Sequence, residues 1–192
     1  MKSTSRFVWP SRALHWLMAA MVLSMLVIGM AMVTSLTRYH GLVSIHRPLG
    51  IAILVLVIVR HVNRRLNPPP PFLETMSGRE RSVATWSERL LYVLMFALPL
   101  IGWGMLSAAG YPIVLLGPVH LPPVLPHSTH LYVLLRGAHT VLAYLLFLTF
   151  MGHLSAVLFH TLVLQDGLLR RMAPFARRHE SALGSSRGEE EE

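Results

Sequence analysis

The sequence predicts an all-α fold: an integral membrane four-helix bundle with both termini cytoplasmic. Three observations predict it. Of 192 residues, 53% are hydrophobic and only 14% are charged, where a soluble domain is nearer a quarter charged. The apolar residues gather into four long stretches, and a spanning helix needs about 20 of them. The arginines crowd into alternate loops, as they do on the cytoplasmic side of a membrane protein.

The first stretch runs from Ala13 to Val33, behind Lys2, Arg6 and Arg12. A basic start also suits a secretory signal. The apolar part exceeds the roughly 7–15 residues of a signal's core, and no small-residue cleavage site follows, so a retained helix is expected. The second stretch centres on Pro48 to Val59 and is short. It reaches spanning length if Ser44–Arg47 and Arg60–Val62 join it, with the arginines snorkelling to the surface. The proline run NPPPPF, Asn67 to Phe72, ends it. The third stretch covers Leu90 to Ala109. After it, GYPIVLLGPVHLPPVLPHSTH is rich in Gly and Pro yet apolar, a loop expected to lie on the bundle or dip into the interface. The fourth stretch runs from Gly137 to Gln165. One domain is expected over residues 1–175. Residues 176–192, which include SALGSSRGEEEE, are expected to form a disordered cytoplasmic tail.

Arginine placement orients the bundle. The link between the second and third helices carries Arg64, Arg65, Arg79, Arg81 and Arg89, and the tail begins with Arg170, Arg171, Arg177 and Arg178. On the opposite side the first loop offers Arg38 and Arg47, and Gly110 to Leu135 offers no cation. The first group defines the inner face. The net charge of +8 is therefore read as basic flanks on membrane spans, with membrane lipid as partner and no nucleic acid. With no cysteine, disulfides, thiolate metal sites and cysteine nucleophiles are excluded.

Between Gly137 and Gln165 there is no Asp, Glu, Lys or Arg, yet His139, His153 and His160 are there. A polar ring in hydrocarbon is costly unless something binds it. His139 and His153 are 14 residues apart, a rotation about 40° short of four turns and a rise of about 21 Å, so both rings share one helix face. Within a hydrocarbon core of about 30 Å, one ring lies near the outer edge and the other near the inner edge. His15 starts the rising first helix and matches His153 in depth. His46 starts the descending second helix and matches His139.

Other residues follow the same spacing. Gly29 is 14 residues after His15 and leaves room at the outer depth, and Arg60 is 14 residues after His46 at the inner depth. Arg12 and Arg136 each lie three residues before a histidine of a pair, and Arg47 follows His46. A bulky apolar ligand with anionic arms and two axial histidines is haem b. No C-x-x-C-H is present for covalent attachment. A lone intramembrane histidine is often only a helix contact, but four at two matched depths go beyond that. Zinc finds no H-E-x-x-H and no acidic residue among the four. The eleven methionines read as core filler. Arg12 and Arg60 are expected to pair with carboxylate arms of the inner haem, and Arg47 and Arg136 with those of the outer one. Plain snorkelling is the alternative. His160, seven residues past His153, is expected on the same face about 10.5 Å nearer the inner surface. There it would hydrogen-bond a quinone carbonyl and deliver a proton, unless it simply faces headgroups.

SRALHW (Ser11 to Trp16), IHRPLGIAILVLVIVR (Ile45 to Arg60), the PPPP that follows, ALPLIGWGMLSAAGYPIVLLG (Ala97 to Gly117) and the last helix's paired histidines together resemble the bacterial cytochrome b561 family. The resemblance spans roughly Phe7 to Phe175. It implies a multi-pass protein of the bacterial inner membrane with two haem b groups, His15 and His153 holding the inner iron and His46 and His139 the outer one. It also implies an oxidoreductase that takes electrons from superoxide or another outer donor and passes them to ubiquinone. The alternative is a haem-bearing membrane anchor that relays electrons from a partner dehydrogenase to quinone.

Overall fold

The computed structural model describes residues 6–116 and 118–173. Four long helices cross the apolar thickness in turn: α1 (Trp9–Thr34), α2 (Tyr39–Leu66), α3 (Gly78–Ala108) and α4 (Thr129–Phe159). Each is long and apolar enough to span a membrane. A π-helical turn, His160–Leu164, continues α4, and a short α5 (Leu168–Met172) follows. The expected tail, residues 176–192, and its Arg177 and Arg178 lie outside the described residues.

Helix starts are set by local chemistry as much as by hydropathy. Pro10 sits in the first turn of α1, where its missing N–H costs nothing. α3 begins well before Leu90 because Ser77 and Glu80 form a capping box. Ser77 Oγ accepts from the Glu80 N–H at 3.3 Å, and the Ser77 N–H donates to Glu80 Oε2 at 2.6 Å. α4 likewise begins before Gly137, with Ser128 Oγ accepting from the Leu131 N–H at 3.3 Å.

The outer loop, expected to lie on the bundle or dip into the interface, lies against the bundle and carries a small sheet. It folds into an antiparallel hairpin of β1 (Ile113–Leu116) and β2 (Val119–Leu121), pinned to the outer end of α3. Trp103 Nε1 donates to the Pro122 carbonyl at 2.9 Å, and the Val124 N–H donates to Ser107 Oγ at 3.1 Å. Gly110 makes the turn out of α3 at φ 71°, a left-handed backbone that favours glycine, and a Cβ there would press on the His127 ring at 3.0 Å. The loop's composition shows its turns, but strands this short leave too few residues to display an alternating pattern.

The buried core is one apolar layer between the depths of the two histidine pairs. Met18 and Val22 enter it from α1, Ile53, Leu54 and Val57 from α2, Leu94, Met95 and Leu98 from α3, and Leu146 from α4. Leu146 is midway along the chain between His139 and His153. Large apolar side chains such as Val27, Val55, Val93 and Leu148 are exposed. They suit a lipid-facing surface, where burial against protein brings no hydrophobic gain.

Candidate functional site

The backbone packing is uneven. α1 packs closely on α2, α2 on α3, and α3 on α4, whereas α4 has no comparable close approach to α1 or α2. The paired histidines lie across those two wider gaps. His15 and His153 belong to α1 and α4, and His46 and His139 to α2 and α4. Helices that share ligands for a bulky group are the ones whose backbones should stand apart.

At the outer pair the His46 and His139 ring centroids are 6.3 Å apart. One nitrogen of each ring would be available to hold a metal ion between them. Nδ1 of both rings is buried without a hydrogen-bond partner, and the Leu98 backbone lies beside His139. Buried polar nitrogens are rarely left unmatched. A metal on the other nitrogen ordinarily turns such an N–H toward a carbonyl of this kind. Gly102 of α3 packs directly on His139, where a Cβ would lie 3.4 Å from Cε1. Gly29, expected to clear space at this depth, has nothing within 4 Å of a built Cβ.

The inner pair is arranged differently. Both rings are half-buried, and His15 carries an arginine on its Nδ1. Arg60 Nη1 is 2.9 Å from His15 Nδ1, and Arg60 Nε donates to the Tyr92 hydroxyl at 2.8 Å. A guanidinium only donates, so His15 Nδ1 is the acceptor. Arg60 is therefore at the inner depth, as its spacing from His46 predicts, on a histidine of that pair.

The remaining arginines divide. Arg12 and Arg47 each bury an Nε without a hydrogen-bond partner, which leaves a donor free for an anion. Arg12 also donates through Nη1 to the Ala173 carbonyl at 3.1 Å. Arg136 is exposed and donates to the Tyr132 hydroxyl at 2.8 Å. Among the described residues there is no group of three or more His, Cys, Asp and Glu that could hold a metal ion.

His160 is buried, which removes it from the headgroups. Its Nδ1 is 2.5 Å from Asp166 Oδ2, while Asp166 Oδ1 accepts from the Leu168 N–H at 3.0 Å. Asp166 thus ties the π turn to α5, and left-handed backbone at Gln165 and Gly167 reverses the chain between them. Beyond this point the C-terminal segment crosses to α1 and the proline link. Trp16 Nε1 donates to the Met172 carbonyl at 2.8 Å, and buried Arg171 donates to the Pro71 carbonyl at 2.7 Å.

Sequence reasoning missed Tyr92, Gly102 and Asp166. Tyrosine at a membrane edge is commonplace, so nothing marked Tyr92. Asp166 had a signal, being the acid that ends the apolar run, six residues after His160.

The residues fit haem b: paired imidazoles at two depths, helices standing apart between them, and buried guanidinium nitrogens without partners. Comparison with known proteins agrees. The chain matches the family described as Prokaryotic cytochrome b561 over residues 6–175. It is 30% identical over 165 residues to cytochrome b561 homolog 2 of Escherichia coli (strain K12), covering 84% of this chain and 88% of the relative. It is 32% identical over 133 residues to a probable superoxide oxidase, CybB, of Yersinia pestis, covering 69% and 75%. A third relative, cytochrome b561 homolog 1 of Escherichia coli (strain K12), is 27% identical over 129 residues, 67% of this chain and 73% of that one. Members of the family bind haem b and move electrons within membranes. With the four spans and a match over nearly the whole described chain in agreement, the chain belongs to the prokaryotic cytochrome b561 family.

Proposed function

We propose that the protein holds two b haems and carries electrons from superoxide on the outer side to ubiquinone on the inner side. The observation that carries this reading is the 6.3 Å approach of the His46 and His139 rings, with His15 and His153 on the helices either side of the other gap beside α4. Haem iron supplies one-electron redox chemistry at each site. His46 and His139 would hold the outer group, and His15 and His153 the inner one. Arg47, beside His46 with its buried Nε unpartnered, and exposed Arg136 supply positive charge at the outer pair. Such charge favours the approach of an anion such as superoxide. The relative named as a probable superoxide oxidase supports the same donor.

The stoichiometry closes simply. Two superoxide ions each release one electron and leave as dioxygen, and one quinone takes both electrons and two protons to become quinol. His160 and Asp166, at the inner end of α4, form the acid–base pair nearest the expected quinone position. With Nδ1 on the carboxylate, the imidazole can offer Nε2 to a quinone carbonyl.

The test is stopped-flow mixing of the purified, haem-loaded protein with superoxide and a short-chain ubiquinone. Superoxide should disappear faster than its spontaneous dismutation, with one quinol formed for every two ions consumed. Superoxide decay at the uncatalysed rate, together with haem reduction by a co-purified dehydrogenase and its substrate, would overturn superoxide as donor and establish the anchor-subunit reading.

A further inference from the structure

α3 contributes no histidine to either pair, yet Tyr92 of α3 grips the cation that touches His15. The Tyr92 hydroxyl accepts from Arg60 Nε at 2.8 Å, and the guanidinium carbon stands 5.6 Å from the ring centroid. The other end of the same guanidinium, Nη1, is 2.9 Å from His15 Nδ1. An arginine at this depth would ordinarily extend toward the surface, where its charge is hydrated. Arg64, one turn further along α2, lies nearer the surface and pairs with Glu88. Arg60 is half-buried and held between Tyr92 and His15, and of the two Tyr92 is the contact outside the histidine pair.

We propose that Tyr92 is a positioning residue: it fixes the Arg60 charge against the inner histidine pair and thereby raises the reduction potential of the inner haem. The inference rests on the two-haem reading above. A positive charge held in a low-dielectric site favours the state with one more electron. Nη1 is exchangeable, because a guanidinium binds a carboxylate more strongly than a neutral imidazole. With Nε anchored on Tyr92, Nη1 can leave His15 for a carboxylate arm of the bound group without the charge leaving the site. A more positive inner site draws electrons inward from the outer one.

Tyr92→Phe tests this in the full-length, haem-loaded protein. The change keeps the ring and removes the acceptor, so Arg60 is released toward the surface. Spectroelectrochemical titration should show about a tenfold loss in the equilibrium constant for reducing the inner haem, a midpoint lower by roughly 59 mV. The outer haem, haem content and melting temperature should hold. The shift is assigned by repeating the titration in the His46→Ala background, which leaves only the inner haem. Unchanged potentials, or an equal shift at both haems, would overturn the proposal. A fall in melting temperature or haem content without a selective shift shows a structural role alone and overturns it too. If Tyr92→Phe does not fold, Arg60→Gln with Tyr92 intact should give the same selective shift, and its absence rejects the proposal. A wild-type protein that loads only one haem would refute the two-haem reading instead, and the single-haem titration would still judge Tyr92.

Discussion

An imidazole placed in hydrocarbon is tolerable when both its nitrogens are engaged. At His46 and His139 the two Nδ1 atoms are buried and unpartnered, and the ring centroids are 6.3 Å apart. Each pair uses its own two histidines, so each should fail independently. His46→Ala or His139→Ala should halve haem per protein and leave the inner haem's reduced spectrum intact, measured by pyridine haemochrome and difference spectra. Two haems persisting with unchanged spectra in either variant would break the pairing. His139 and His153 were legible in the sequence because the run from Gly137 to Gln165 holds no Asp, Glu, Lys or Arg and a spacing of 14 brings them back to one helix face, with His15 and His46 matching them in depth. Tyr92 and Gly102 were not, because each acts through a neighbour on another helix, and no periodicity within α3 reports that.

Among the elements, α4 serves both pairs and α3 backs both, with Tyr92 at the inner depth and Gly102 at the outer. The spans were legible from hydropathy, but their ends were not. The S-x-x-E at Ser77 starts α3 among charged residues, and a π turn is invisible to a pattern that assumes 3.6 residues per turn. That turn decides the fate of His160, which meets Asp166 within the protein. Removing the ring should separate its two roles. His160→Ala should keep both haem spectra while slowing reoxidation of the haems by ubiquinone about tenfold or more, as for loss of a general acid–base group. Asp166→Asn, which keeps the N-terminal tie to α5 but weakens the grip on the ring, should fall between. Normal reoxidation in His160→Ala, followed by stopped-flow absorbance, would leave the pair with a purely structural role.

The protein as a whole is a multi-pass cytochrome of the bacterial inner membrane, and its arginines place the inner histidine pair toward the cytoplasm. The apolar layer from Met18 to Leu146 that separates the pairs gives the molecule the character of a capacitor. On the two-haem reading, an electron passing between the sites would cross a thin insulator without a companion ion and deposit negative charge on the inner plate. The plates lie about 21 Å apart along α4. Carrying one charge across the whole membrane against 100 mV takes about 2.3 kcal/mol, so this part of the path takes roughly 1.6 kcal/mol. On that reading an energised cell, negative inside, would push back on turnover. In sealed vesicles with the protein oriented as in the cell, an inside-negative potassium diffusion potential should slow quinone reduction, and an ionophore that collapses it should restore the rate. A rate indifferent to voltage would mean that the two sites are not separated across the membrane. Where the voltage does act, the cell's own charge sets the speed at which electrons are accepted from outside.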